Sequence, residues 1–211
     1  MTTVQGLIDS VKSEAQFDVT DPQALTWLDR RHKTMVLRAR ALRKTTSLVT
    51  VANQRDYALP ADIVEIMEVN VDGLPYGRAT HTDLSYGAQG WVALSGIGGV
   101  VASEEDSSGG PEIALYPTPT EAGLSVLVRG VWRPASLVVG TDSTLIVPDE
   151  YQDALISGAI ATGLKRQEYR PDLAQGFEQE FDNACEEFRR RTARRYRGGG
   201  PATIRIQGVN I

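Results

Sequence analysis

The chain has one cysteine, two histidines and no apolar run near the roughly 18 residues a membrane span requires. The single thiol, Cys185, excludes an internal disulfide and a cysteine metal cluster. It falls on the apolar stripe of a predicted helix, where a cysteine behaves as a small buried hydrophobe. His32 lies in an arginine-rich helical segment and His81 in a loop, and neither stands in a metal or catalytic-triad motif. The start, "MTTVQGLIDSVKSEAQF", has acids where a secretory signal would have a cationic start and an apolar block, so a soluble protein made in the cytoplasm is expected. "GIGGVVAS" around Gly96 is followed by strand-like residues, whereas phosphate loops open a helix, and it reads as a turn. Asp149, Glu150 and Asp153 are the acids a helix start prefers, and Glu104, Glu105 and Asp106 lack the ligand spacing of a calcium loop. No acid and base pair emerges. An enzyme is not expected, nor is a cofactor or a metal.

What is present is core material and segregated charge. With 211 residues, 41% of them hydrophobic, the chain can bury a sizeable interior. The net charge of −5 conceals two basic stretches. Residues 29–44 hold Arg30, Arg31, Lys33, Arg38, Arg40, Arg43 and Lys44 against Asp29 alone. Residues 189–197 hold Arg189, Arg190, Arg191, Arg194, Arg195 and Arg197. The rest is strongly acidic, a pattern that favours head-to-tail association of copies, although solvated helix faces would look the same.

Period separates three regions. Val4, Leu7, Ile8 and Val11 predict a helix from about Thr3 to Ala15. "DVTDPQALTWLDRR" starts a second, capped by Thr20 or Asp21 with Pro22 in its first turn. Its stripe of Leu25, Leu28, Met35, Val36, Ala39 and Leu42 carries it to about Arg43. Alternating segments follow: "TSLVTVANQRDYALP", "DIVEIMEVNV" before the hairpin signal Asp72-Gly73, then "WVALSG", "GVVASEE", "PEIALYP" and "LSVLVRGVWRP". In the last, Leu124, Val126, Val128 and Trp132 share one face, while Ser125, Leu127, Arg129 and Val131 form a second face expected to be partly covered. Helical period returns at "VPDEYQDALISGAIATGLKRQEY", with Ala154, Gly158, Ala161 and Thr162 as a small-residue face that admits a close neighbour. Pro171 and Asp172 open a last helix striped by Leu173, Phe177, Phe181, Cys185 and Phe188.

The expected fold class is α+β. Residues 1–44 supply two N-terminal helices, 45–147 an inserted antiparallel β-domain, 148–197 two C-terminal helices and 198–211 a flexible arm. The arm opens on a hinge, Gly198, Gly199 and Gly200, followed by Pro201 and by Ile204, Ile206, Val209 and Ile211 among polar neighbours. A basic helix end running into such a hinge suits nucleic acid, a docking strand or a disordered tail. No helix-turn-helix, zinc finger or aromatic RNA-binding signature is present, so any DNA contact would be nonspecific and salt-sensitive.

The order of "DYALPADIVEIMEV", "LYPTP" with the following "VRGVWRP", and "VPDEYQDALISGAIA" resembles the head-to-tail adaptor, or connector, proteins of tailed double-stranded DNA bacteriophages. The likeness covers roughly residues 20 to 190. It implies a four-helix bundle with a small β-domain inserted between its halves. It implies a dodecameric ring at the virion neck, assembled in the host bacterial cytoplasm, that docks on the portal protein, extends the DNA channel and meets a tail or stopper protein. The arm residues Ile204, Ile206, Val209 and Ile211 would carry the portal contact, disordered alone and ordered on assembly. The arginines of 189–197 would face acids of the portal, a neighbouring subunit, or the DNA. Another neck or tail completion protein, or a nonspecific DNA-binding protein, are the rival readings.

Overall fold

A computed structural model describes residues 3–79, 99–105, 111–140, 145–168 and 170–197. The chain divides into two compact units, one of residues 42–136 and one of the flanking segments 1–41 and 137–211. Among the described residues it is α+β, with four helices in the flanking unit and a seven-stranded sheet in the central one.

Helix α1 spans Val4–Glu14, its first turn capped by Thr3 Oγ1, which accepts the Gly6 N–H at 3.0 Å. Helix α2 spans Asp21–Arg38 and starts from Thr20, whose capping box with Gln23 satisfies amides that would otherwise face bare solvent. It stops at Arg38, short of the expected Arg43. Arg40 turns into the left-handed region at φ 49°. The Ala41 N–H then bonds the Val36 carbonyl, and the Arg40 N–H that of Leu37, both at 3.0 Å. This is a Schellman closure made without glycine. Arg43 and Lys44 therefore belong to a strand. A single 3₁₀ turn, Asp149–Tyr151, leads into α3, Gln152–Arg166, and α4 runs from Pro171 to Arg197.

Every residue from Ala154 to Leu164 is buried, so α3 is the enclosed helix, with α1, α2 and α4 packed around it. Its small residues make this possible. A Cβ on Gly158 would lie 2.7 Å from the Phe181 ring, and one on Gly163 2.6 Å from Phe17 and 2.7 Å from Trp27. Val4, Leu7, Ile8 and Val11 close one side, as their spacing predicts, and Ala24, Trp27, Leu28, Met35 and Val36 another. Leu25 and Leu42 are only half-buried, because the stripe of α2 runs through Trp27 and His32 instead. On α4 the buried line is Ala174, Phe181, Cys185, Phe188 and Thr192. Leu173 is 42% exposed, since Ala174 takes the inward position one residue on.

The central unit contains β1 (Arg43–Val49), β2 (Asp56–Ala58), β3 (Ile63–Val71), β4 (Leu74–Ala79), β5 (Gly99–Glu105), β6 (Pro111–Tyr116) and β7 (Ser125–Trp132), ordered β1-β7-β3-β4-β5-β6-β2. Asp72 (φ 49°) and Gly73 (φ 81°) form the hairpin turn between β3 and β4, both residues left-handed as a type I′ turn needs. All pairings are antiparallel except β4 with β5. That exception follows from residues 80–98, a connection long enough to bring the chain back in the same direction. The predicted strand "WVALSG", His81 and Gly96 lie in that connection, outside the described residues.

Val49 and Asp56 stand on opposite edges of the sheet, yet only residues 50–55 join them. Seven strands laid flat are about 29 Å across, and the link reaches at most about 25 Å. The sheet must curl, and Tyr57, Ile66, Val69, Ile113, Leu115, Val126 and Val128 share one enclosed core. Buried Thr50 ties the link down: its hydroxyl donates to the Glu121 carbonyl at 2.9 Å and accepts the Leu124 N–H at 3.0 Å. On the outer face of β7 only Val131 is covered, while Leu127 is 41% exposed, so the expected cover on that face is confined to one end.

The tight α3–α4 approach predicts that Gly158→Ala destabilises the protein by about 1–3 kcal/mol through overpacking against Phe181. Gly176→Ala on α4, where nothing lies within 4 Å of the added atom, should stabilise it by about 0.5–1 kcal/mol. Urea denaturation of the two variants beside the parent protein measures both signs.

Candidate interaction surface

The two basic stretches come to different ends. Arg31 turns inward from α2: its guanidinium donates to both carboxylate oxygens of Glu178 on α4, at 2.7 and 2.8 Å, and through Nε to Thr162 Oγ1 on α3 at 2.9 Å. It also lies over the Phe181 ring, 4.9 Å from its centre. Lys165 reaches the same carboxylate at 3.1 Å. Arg38 pairs with Asp182 at 2.5 Å, and Lys33 with Asp29 at 2.6 Å. Lys44 stands 5.3 Å from the Trp132 ring on the sheet. Arg31, Lys33 and Arg38 of the first stretch therefore pair within the helical unit, and Arg30 stands exposed.

Burial works against a charged Glu178, but the hydrogen bonds from Arg31 and Lys165 outweigh it and hold the carboxyl below its ordinary 4.5. Cys185 shows the opposite balance. Burial pushes its thiol up to about 11, against the pull of Arg38, so it stays protonated and inert.

The second stretch lies along α4, which is divided lengthwise. From Pro171 to Phe188 it has six acids and no base, and from Arg189 to Arg197 six arginines and no acid. Several of the acids answer α2 and α3: Glu178 and Asp182 take Arg31 and Arg38, and Glu180 accepts the Ser157 hydroxyl at 2.8 Å. The arginines have fewer partners. Arg189 bonds Glu186 at 2.9 Å, one turn back, and Arg191 pairs with Glu150 at the start of α3. Tyr151 meets Phe188 there, with ring centres 5.1 Å apart. Arg190, Arg194 and Arg195 are exposed and have no ion-pair partner among the described residues. Arg190 and Arg194 stand four residues apart on the side away from buried Phe188 and Thr192, and with Arg189 and Ala193 they line a shallow open depression.

Like charges at this spacing weaken a helix by a few tenths of a kcal/mol per pair. The helix dipole repays cations only within the last turn, so it does not account for Arg189 or Arg190. Such a cluster is stabilised by an anionic partner. Arg197 closes the helix. The hinge Gly198, Gly199 and Gly200, and the arm residues Ile204, Ile206, Val209 and Ile211, lie outside the described residues. Glu104 and Glu105 end β5, and Asp106 falls outside the described residues.

The described residues thus form two units, one helical and one a curled sheet, with exposed arginines gathered at one helix end. The SU10 adaptor protein family matches residues 2–205, nearly the whole chain, and the chain belongs to that family. This accords with the resemblance to phage head-to-tail adaptors. No curated protein matches the chain. Among the described residues no helix is long and apolar enough to cross a membrane.

Replacing Arg31 with Met leaves Glu178 half-buried beside Lys165 alone and should cost about 2–3 kcal/mol at neutral pH. Glu178 has a lower pKa folded than unfolded, so its contribution is complete above about 4.5 and fades as pH falls through the folded value. The gap between parent and Arg31→Met protein in urea titrations should narrow accordingly on acidification.

Proposed function

We propose that the chain is the subunit of a head-to-tail adaptor ring at the virion neck, docking on the portal protein and offering its other side to a tail or stopper protein. The observation that carries this reading is the family match, joined to a helix end where Arg190, Arg194 and Arg195 are exposed with no ion-pair partner among the described residues. In this reading the four helices form one bundle, and copies associate head to tail into a closed ring, most simply a dodecamer. Heterologous contacts of that kind join an acidic face of one copy to a basic face of the next. DNA passes through the ring without sequence recognition.

Arg190, Arg194 and Arg195 meet acids of the portal or of a neighbouring subunit, with Arg189 and Arg191 held in register by Glu186 and Glu150. Carboxylates suit this role better than DNA phosphates, because a channel that must release DNA gains nothing from several strong phosphate contacts. Beyond them Gly198, Gly199 and Gly200 form the joint of an arm. Ile204 and Ile206 alternate with polar residues, as in a segment that adds a strand to a sheet edge, and Val209 and Ile211 extend its apolar contact. The protein assembles structure and carries out no catalysis.

Binding to purified portal rings tests the arm and the arginines separately. Deleting residues 198–211 should lower portal affinity by at least about tenfold, and the triple change Arg190→Glu, Arg194→Glu and Arg195→Glu by a comparable factor, without loss of helicity by circular dichroism. Undiminished binding in both variants contradicts the assignment. Retention on DNA that falls steeply with salt, with none on portal, would favour a nonspecific DNA-binding role instead.

A further inference from the structure

Asp29 and His32 stand one turn apart on α2, and both hold the segment by which the chain re-enters the helical unit. The Asp29 carboxylate accepts the Leu137 N–H at 2.8 Å through Oδ1 and pairs with Lys33 through Oδ2 at 2.6 Å. Further along the same segment the Ile146 N–H donates to His32 Nε2 at 3.1 Å. His32 is completely buried. Because Nε2 accepts, the ring proton sits on Nδ1, and Nδ1 has no hydrogen-bond partner among the described residues. A buried polar atom left without a partner is costly. Glutamine could accept the same N–H at every pH, whereas phenylalanine would fill the space but leave the Ile146 N–H without its acceptor. What histidine adds is an acceptor that a proton can remove.

We propose that Asp29 and His32 form an acid-operated latch on the return segment. With His32 neutral the segment is fastened to α2 at both Leu137 and Ile146, and protonation of Nε2 releases the Ile146 end while Asp29 keeps the other. The released end leads directly into buried Val147 and the turn that begins α3, so the latch fixes where α3 starts.

The electrostatics around the ring are sparse. Burial is the main influence and lowers the imidazole pKa from 6.5 to about 4; Asp29 favours the proton and Lys33 opposes it. The described residues of the segment, Leu137–Gly140 and Leu145–Pro148, carry no ionisable side chain. On the packed helices, Asp9, Lys12 and Glu14 of α1 and Asp153, Lys165 and Arg166 of α3 are all exposed, and the inward charges of α4 are occupied by Arg31 and Arg38. A base whose pKa is depressed by folding stabilises the closed form above the unfolded value of 6.5, and that contribution is lost as pH falls toward about 4. The latch is shut at neutral pH, and its hold weakens as pH falls below 6.5 toward about 4.

Amide exchange followed by NMR on the full chain, from about pH 7.5 to about pH 4.5, reads each end of the latch. After correction for intrinsic exchange, Ile146 protection should fall on the order of 50-fold across that range while Leu137 changes much less. His32→Gln, which keeps an acceptor at every pH, should abolish the fall at Ile146. An identical pH course at Ile146 in both proteins would overturn the proposal. Ring nitrogen shifts of His32 in the parent protein give a second reading that needs no variant. A neutral Nδ1–H tautomer that titrates far below 6.5 supports the latch, and an Nε2–H tautomer contradicts it.

Discussion

The helical unit is organised around one guanidinium. Arg31 comes from α2, bonds Thr162 of α3 and grips Glu178 of α4 with two parallel hydrogen bonds, while its flat face covers the Phe181 ring. An arginine suits this place because its donors form a rigid fork and its plane stacks; a lysine would hold one bond and lose the rest. The arrangement also sets the packing distance. Gly158 lies beneath both the Phe181 ring and the Arg31 side chain, where a Cβ would come 2.7 and 3.2 Å from them, so the small-residue face of α3 and the charge lock depend on the same close approach.

That lock explains how the charge is sorted. The acids of α4 before Phe188 lie opposite the basic residues of α2, which would otherwise be an unbalanced cationic face. The balance ends where α3 begins. With 27 residues against 15, α4 outruns its neighbour by about 18 Å, and its arginines gather toward that surplus length. Two of them pair with Glu186 and Glu150, while Arg190, Arg194 and Arg195 stand exposed. A membership in the SU10 adaptor protein family fits a surface of this kind, since adaptors work by joining other proteins.

Features set by neighbours in sequence were legible in advance. The α2 start at Thr20 or Asp21, which the structure places at Thr20, the Asp72-Gly73 hairpin turn and the small residues of α3 are all local patterns. The end of α2 was not, because its closing residue is an arginine forced into a glycine conformation and the apolar period runs on past it to Leu42. Leu173 and Ala174 could be exchanged by period alone, and only the approach of α4 to its neighbours decides that the smaller one is inside. The fate of the two basic stretches was also hidden. The bonds that consume Arg31 span 131 and 147 residues, and no spacing rule reaches across such separations. For the same reason His32 read as an ordinary histidine in a basic segment, although it is a buried acceptor for the returning chain.

An adaptor role for this chain requires the basic end of α4 to be a contact surface and not a solvated helix terminus. Electron cryomicroscopy of the protein mixed with portal rings tests this most directly. The expected image is a closed ring of copies in which residues 189–197 of every copy abut acidic side chains of the portal or of the adjacent subunit. A ring in which those arginines face open solvent, or a failure of the protein to join the portal at all, would contradict it.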